Sequence, residues 1–302
     1  MRLINWATPV DVNILIVGIA TIDIISDVHR YPQEDEELRA HAMRMVRGGN
    51  GTNMLVVLSQ LRHQGMWAGT LADDRFATLI RQDLMQYGID LSPVIQHVDT
   101  TTPVSCITNS QKNGTRTIVH YRQLPEYDAN HFLRLPISHC DWIHFEGRNV
   151  AETIEMLRAV ASAGIMCSLE IEKDRADIER LIPLAQIVLF SKHYVHTQGF
   201  ESAEDFLLTY QIRYPRTVMV CAWGAEGAYA VAPNQTILHC PANALEVIDS
   251  VGAGDVFNAG FIHRYQQSTD VNSALVFACR LAECKCRQQG FSDLEWQDII
   301  KL

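Results

Sequence analysis

No Lys- or Arg-rich block occurs anywhere in the chain, and its 25 basic residues are outnumbered by 35 acidic ones, for a formal net charge of −10. Such a chain is repelled by a phosphate backbone or an anionic membrane surface, so neither nucleic acid nor membrane is expected as a partner. A local phosphate site survives this argument, because backbone N–H groups bind anions without side-chain charge. No apolar run approaches the ~18 residues that a membrane span requires. Residues 1–12 lack the apolar stretch of a signal peptide. No Cys-x-x-Cys occurs among the eight cysteines, whose one close pair is Cys284 and Cys286. Reduced thiols in a cytoplasmic protein are therefore expected, with no cysteine metal site. Also missing are Gly-x-x-x-x-Gly-Lys-Ser/Thr, Gly-x-Gly-x-x-Gly after the first strand, Gly-x-Ser-x-Gly and His-Glu-x-x-His. P-loop, dinucleotide, α/β-hydrolase and zincin chemistry lose their usual signatures with them.

What is present is a rhythm. Hydrophobic residues are 47% of 302, enough for one sizeable core. Residues 13–20 (NILIVGIA) form an apolar run of strand length, rich in Ile and Val, as in a strand buried on both faces. Short apolar runs at 142–145, 165–169, 187–190 and 218–222 come later. Helical patterns at 51–62, 74–87, 151–163 and 201–212 fall between them or before them. Strands alternating with helices predict an α/β, Rossmann-type, mostly parallel sheet flanked by helices. Two stretches break the pattern. Residues 37–47 alternate apolar and polar, and 102–122 read as two strands joined at Asn113-Gly114, a dipeptide that favours a tight hairpin. These are expected to form a small β-sheet lid from 23–47 and 101–122, over a core of 1–22, 48–100 and 123–302. The apolar face of such a lid makes a homodimer through it the expected assembly.

The strongest local signal is Ile248 to Gly260, centred on Gly252-Ala253-Gly254-Asp255. Three small residues let backbone approach a ligand. The helical pattern after them puts unpaired N–H groups and a positive dipole end at the same place, an anion hole for a transferred phosphoryl group. Asp255, in the first turn, could take the proton of an attacking hydroxyl. A plain Gly-rich turn with an acid on the helix dipole has the same composition, so the other residues must decide. Arg47-Gly48-Gly49-Asn50-Gly51-Thr52-Asn53 opens the first long helix, where Asn50 alone could be a mere N-cap.

These two elements, some 200 residues apart, resemble the paired signatures of the ribokinase-like (PfkB) family of carbohydrate kinases. The resemblance covers nearly the whole chain after the leader. It is similar to the branch of that family that phosphorylates ketohexoses at Tyr31 to Asp35, Arg116-Thr117-Ile118, His144 to Asn149, Cys221-Ala222-Trp223 with Glu226-Gly227-Ala228, and Gln289-Gly290-Phe291. It implies a ribokinase-like fold and transfer of the γ-phosphoryl group of ATP to a ketohexose hydroxyl, fructose to fructose 1-phosphate first. Another sugar or a nucleoside is the alternative acceptor, and a non-catalytic sugar or nucleotide sensor is the alternative from another class. It further implies that Asp23, Asp35, Gly49, Asn50, Asn53 and Asp255 hold the sugar. Arg116, Gly224, Ala225, Glu226, Gly227, Gly252, Ala253 and Gly254 would meet ATP, with Cys279 beside the adenine. Carboxylates and amides suit a hydroxyl-rich ligand.

Mg²⁺ would accompany ATP, and K⁺, if used, would rest on backbone carbonyls near Asp249. The Asn-x-x-Glu of many relatives is replaced by Ser191-Lys192-His193-Tyr194, which leaves no assigned metal ligand. Glu170, Glu172 and Lys173 are candidates for supporting Mg²⁺ or phosphate. Leu55 stands where the stricter signature has a small residue and is expected at the floor of the sugar pocket.

Overall fold

The Ile- and Val-rich run after Val12 does form a buried strand, and it ends sooner than its apolar length predicts. A computed structural model describes residues 12–112, 114–292 and 294. The leader 1–11 and Asn113 of the expected hairpin lie outside the described residues. In chain order the elements are β1 (Asn13–Val17), β2 (Thr21–Val28), β3 (Ala42–Gly48), α1 (Asn50–Gln60), β4 (Gln64–Ala68), β5 (Thr70–Ala72) and α2 (Arg75–Gln86). Next come β6 (Ile95–His97), β7 (Val104–Ser110), β8 (Thr115–Tyr121), α3 (Ala129–Phe132), β9 (Trp142–Glu146), α4 (Val150–Ala163) and β10 (Met166–Ile171). The chain continues through β11 (Ile187–Ser191), α5 (Lys192–Thr197), α6 (Ala203–Arg213), β12 (Val218–Ala222), β13 (Ala228–Val231), β14 (Leu238–Cys240), α7 (Ala253–Ser268) and α8 (Val271–Cys286).

The large sheet has eight strands in the order β14-β13-β12-β11-β10-β9-β1-β4. It is parallel from β12 through β4, and β13 and β14 add an antiparallel edge. Alternate residues of one strand feed opposite layers, as a period of two requires. Ile187 and Leu189 of β11 join one core with α1, α2, α7 and α8. Val188 and Phe190 join the other, with α4 and α6. Side chains such as Phe261 and Phe206 are wholly buried there, each contributing roughly 2 kcal/mol by area.

A separate four-stranded sheet, β3-β2-β7-β8, makes the lid. Its pairing of β2 with β7 is parallel, and the two outer pairings are antiparallel. β5 and β6 form a third, two-stranded parallel sheet.

Two expectations are corrected by the structure. β1 stops at Val17, because the next amides turn away from it: Gly18 N–H donates to Ala68 O at 3.1 Å and Ile19 N–H to Glu146 Oε1 at 3.0 Å. Asp23 lies beyond that turn, inside β2 of the small sheet. Of the expected strand at 37–47, only the part from Ala42 onward is β3.

The lid's faces follow from its register. Met45, Ile24, Cys106 and Val119 lie in one cross-strand row, of which Met45, Cys106 and Val119 are exposed. The neighbouring row is Val46, Asp23, Ser105 and His120, where Ser105 Oγ and His120 Nδ1 are 3.1 Å apart.

Candidate active site

In a parallel sheet, ligands meet the carboxyl ends of the strands. Glu146 ends β9, Glu170 lies near the end of β10, and Glu172 comes directly after it. α1 and α7 bring their first turns to the same place. α1 begins at Asn50 with Gly49 as N-cap, so Asn50 is the first helical residue rather than the cap. α7 begins at Ala253 with Gly252 as N-cap.

Here two distant segments meet. Asn53 Nδ2 donates to Asp255 Oδ2 at 2.7 Å. The other end of that amide is fixed by Arg47, whose Nη1 donates to Asn53 Oδ1 at 2.7 Å and to Thr52 Oγ1 at 3.0 Å. Arg47 is anchored in turn by Asp83, with Nε to Oδ2 at 2.5 Å. The result is a chain Asp83–Arg47–Asn53–Asp255 that leaves the Asn53 amide one orientation. Asn50 Nδ2 donates to Glu170 Oε2 at 3.0 Å, and Asn258 Nδ2 to Glu170 Oε1 at 2.9 Å. Glu146 Oε1 accepts from the N–H groups of Ile19 and Gly51 at 3.0 and 2.8 Å, tying the end of β1 to the start of α1.

Burying so many acids together raises their affinity for protons. Burial pushes Asp255 up to about 8, and the charges of Glu172 and Glu146 add to it. The Asn53 hydrogen bond pulls the other way. Burial, then the charge of Asp255, holds Glu170 well above the ordinary carboxylate value. Glu146 is raised by burial against the opposing pull of Arg148 and its two N–H donors. Asp255 has the properties of a base that gains its proton easily and is placed at a helix start where anions bind.

The 252–254 turn differs from expectation in one respect. The Ala253 N–H donates back to Ser250 O at 3.2 Å, a turn bond that takes it out of the expected set of amides. Gly252 and Gly254 remain. At Gly254 an added Cβ would meet nothing within 4 Å, so the turn opens to space on that side. Gly252 is left-handed (φ 76°), and an added Cβ would come within 2.2 Å of the Phe291 ring; only glycine fits both conditions.

The remaining candidates fall in several places. Asp23 lies against the backbone of Gly48, where an added Cβ would touch its carboxylate, and Thr21 Oγ1 donates to it at 2.9 Å. Asp35 sits in an exposed turn between β2 and β3. Arg116 is exposed on β8. Gly224, Ala225 and Glu226 form one 3₁₀ turn after β12, closed by Gly227 at φ 97°, where a Cβ would meet the Cys240 carbonyl at 2.0 Å. Lys192 lies 4.6 Å from the Trp223 ring centroid and 3.5 Å from Glu226. Ser191 caps α5, accepting from Tyr194 N–H at 2.9 Å and donating to Glu172 O at 2.6 Å. Cys279 Sγ points at Cys240 O, 3.8 Å away. Lys173 is half exposed, 3.9 Å from Glu172. Leu55 is wholly buried against Gly65 and so does not form a pocket floor. The backbone carbonyl of Asp249 accepts from Lys285 Nζ at 2.8 Å. Among the described residues no three His, Cys, Asp or Glu side chains are grouped to hold a metal ion. Nor, among them, is any helix long and apolar enough to cross a membrane.

Arg47 and Glu146 were missed as site residues. Arg47 stood within the Gly-rich element that opens α1, and Glu146 ended a buried strand, so each had a signal in its position but none in its local pattern.

Comparison with known proteins gives a consistent result. Residues 12–297 match the family described as pfkB family carbohydrate kinase. The chain is 36% identical to the ketohexokinase of Mus musculus over 292 residues, covering 93% of this chain and 98% of that protein. It is 25% identical to the ribokinase of Bacillus subtilis, covering 92% and 95%. Its fold matches the ribokinase of Arabidopsis thaliana, solved with ribose and ATP, at a TM-score of 0.80 and 19% identity, covering 96% and 98%. The ribokinase of Giardia lamblia matches at a TM-score of 0.82 and 16% identity, with the same coverage.

Proposed function

The chain belongs to the pfkB family of carbohydrate kinases, and from that premise we propose that it transfers the γ-phosphoryl group of ATP to O1 of a ketohexose, fructose first. It is an ATP-dependent sugar kinase; the 36% identity to a ketohexokinase, over 93% of the chain, favours the ketose. The observation that carries the assignment of roles is the Asn53–Asp255 bond at 2.7 Å, which ties the polyol element to the phosphate turn. A sugar held by Asp23, Gly49, Asn50 and Asn53 would present its hydroxyl to Asp255. Asp255 takes the hydroxyl proton as the oxygen attacks the γ-phosphorus, and the bond to the bridging oxygen of ADP breaks. The amides of Gly252 and Gly254 face the charge that develops on the transferred group. Such catalysis is mostly positioning and electrostatics.

ATP would lie between the 224–227 turn and α7, near Cys279, with Arg116 approaching its phosphates as the lid closes. Magnesium enters as Mg·ATP, held largely by phosphate oxygens and water as this small, strongly hydrated ion prefers. Glu172, half exposed beside Asn50, is the carboxylate best placed to receive its hydration shell. Asp35 serves the sugar only through lid movement or through a second subunit. The exposed row Met45, Cys106 and Val119 supports a homodimer formed by the lid. Five of the eight cysteines are buried in the two cores, which supports a reducing, cytoplasmic setting.

A coupled ADP-release assay across ketohexoses, aldohexoses, pentoses and nucleosides tests the reading. Fructose should give the highest kcat/KM. Preference for a pentose or nucleoside would move the chain to another acceptor, and no ADP release with any acceptor would make it a sensor.

A further inference from the structure

On the last turn of α8, the side chain of Lys285 is wholly buried (0% exposed). An ammonium survives out of water only when paired and hydrogen-bonded. Its partners all belong to the approach to the phosphate turn or to the segment that packs on it. Nζ donates to Asp249 O at 2.8 Å, lies 3.2 Å from Asp249 Oδ2, and has Gln288 O at 3.5 Å. It is 5.6 Å from the centroid of Phe291, the ring packed against Gly252. The same stretch of chain holds the turn by its backbone: Cys286 O accepts from the N–H groups of Ile248 and Asp249 at 2.8 and 3.3 Å. The Asp249 carboxylate holds the turn from the other side, its Oδ1 accepting from Val251 N–H at 3.0 Å and its Oδ2 from Gly290 N–H at 3.1 Å.

This arrangement answers an electrostatic difficulty. Asp249 is buried three residues before Gly252, and an unbalanced carboxylate there would oppose an incoming phosphate. Arg44 offers a second cation, but at 4.0 Å and with its side chain 22% exposed it is the weaker partner. The Asp249 carbonyl, where a free monovalent cation was expected, is already bonded to the Lys285 ammonium.

We propose that Lys285 is the resident cation of the phosphate turn: a positioning residue that neutralises Asp249, fixes residues 248–252 for the nucleotide phosphates, and stands where a free monovalent cation would otherwise bind. This rests on the reading that the 252–254 turn receives the phosphates of ATP.

ADP affinity by titration calorimetry, which needs no sugar, separates this test from the choice of acceptor. In the wild type, replacing K⁺ by tetramethylammonium at constant ionic strength should leave ADP affinity and turnover within about twofold. Lys285→Ala, which opens a hole of ammonium size, should bind ADP roughly tenfold or more weakly in tetramethylammonium and recover most of that loss when K⁺ or NH₄⁺ is added. Lys285→Met should lose affinity in the same way, and adding Asp249→Asn should restore part of it by removing the unbalanced charge. A purely structural lysine would show neither rescue. The proposal is overturned by a wild type that needs K⁺ for ADP binding or turnover, by a Lys285→Ala protein with normal affinity, or by a loss that no small cation relieves in a protein with a native melting curve. Should Lys285→Ala not fold, the wild-type ion exchange and the Lys285→Met/Asp249→Asn pair decide. A wild type that binds no ADP at all would remove the nucleotide reading itself, and this inference with it.

Discussion

The amide of Asn53 donates to the carboxylate of Asp255 at 2.7 Å across 202 residues of sequence. Arg47 holds the amide's oxygen, so the nitrogen can face only the carboxylate. That single bond joins the Gly-rich start of α1, which carries the sugar-binding candidates, to the start of α7, which carries the candidate phosphate turn. It also opposes the burial that raises Asp255, and so helps set the pH at which this carboxylate can accept a proton.

Replacing the carboxylate should separate chemistry from binding. Asp255→Asn should lower kcat by roughly 10²- to 10⁴-fold, the range for a lost general base, while ADP affinity stays near normal. Single-turnover kinetics with calorimetry would check it. A turnover within about threefold of the wild type would remove Asp255 from the role of base.

The same substitution should act on stability with a definite sign. Asp255 binds its proton more tightly folded than unfolded, with a folded value near 8. Its contribution is therefore fully present below the unfolded carboxylate value of about 4 and is lost as the pH rises toward 8. Asp255→Asn, which still offers an oxygen to Asn53, escapes that loss. It should be more stable than the wild type above pH ~8, on the order of a few kcal/mol, with the gap closing toward pH ~4. Denaturant midpoints across that interval would test it; a gap that widens in acid contradicts it.

Asn53→Ala removes a bond that favours the ionised form of Asp255. The rising limb of the kcat/KM profile, expected near pH 8 in the wild type, should move to higher pH, by about one unit for a charge-assisted bond. A limb that stays in place or moves to lower pH would show that Asn53 does not tune the base.

Gly252→Ala places a methyl group in a left-handed position facing Phe291. The backbone alone costs about 1–2 kcal/mol, and the ring must also move. If the 252–254 turn holds the nucleotide phosphates as proposed, nucleotide affinity and melting temperature should fall together. Unchanged ADP affinity in a destabilised protein would separate the turn from the nucleotide.

Val119→Glu, at a residue 69% exposed on the lid, should leave folding intact, because surface changes usually cost little. If the lid pairs two subunits, light scattering should report a monomer for the variant and a dimer for the wild type. A wild-type monomer at micromolar concentration, or a variant that remains dimeric, rules out this interface.

Local patterns made much of the molecule legible. Three small residues and an acid at a helix start are contiguous, so the 252–255 turn could be read directly. The buried strands announced themselves by apolar runs because both faces of the large sheet are covered. The features that escaped were non-local or set by neighbouring segments. Glu146 acts on Ile19 and Gly51, 127 and 95 residues away, and nothing near it in sequence points to that use. β2 was hidden because the apolar run that begins at Asn13 continues past Val17, while the turn at Gly18 and Ile19 is made by Ala68 and Glu146. The position of Leu55 was misread for a similar reason: its environment is decided by Gly65 across the packing of α1 on the sheet. The amide of Ala253 could not be known to turn back onto Ser250 until the cap geometry was in view.

Transfer from Mg·ATP to O1 of a ketohexose under the control of Asp255 is tested most directly by its product. The wild type should be incubated with fructose and Mg·ATP and the product identified by phosphorus–proton coupling in NMR. Fructose 1-phosphate, formed in step with ADP and formed roughly 10²-fold or more slowly by Asp255→Asn, is the expected result. Fructose phosphorylated at another carbon, or ADP formed without any sugar phosphate, would contradict it.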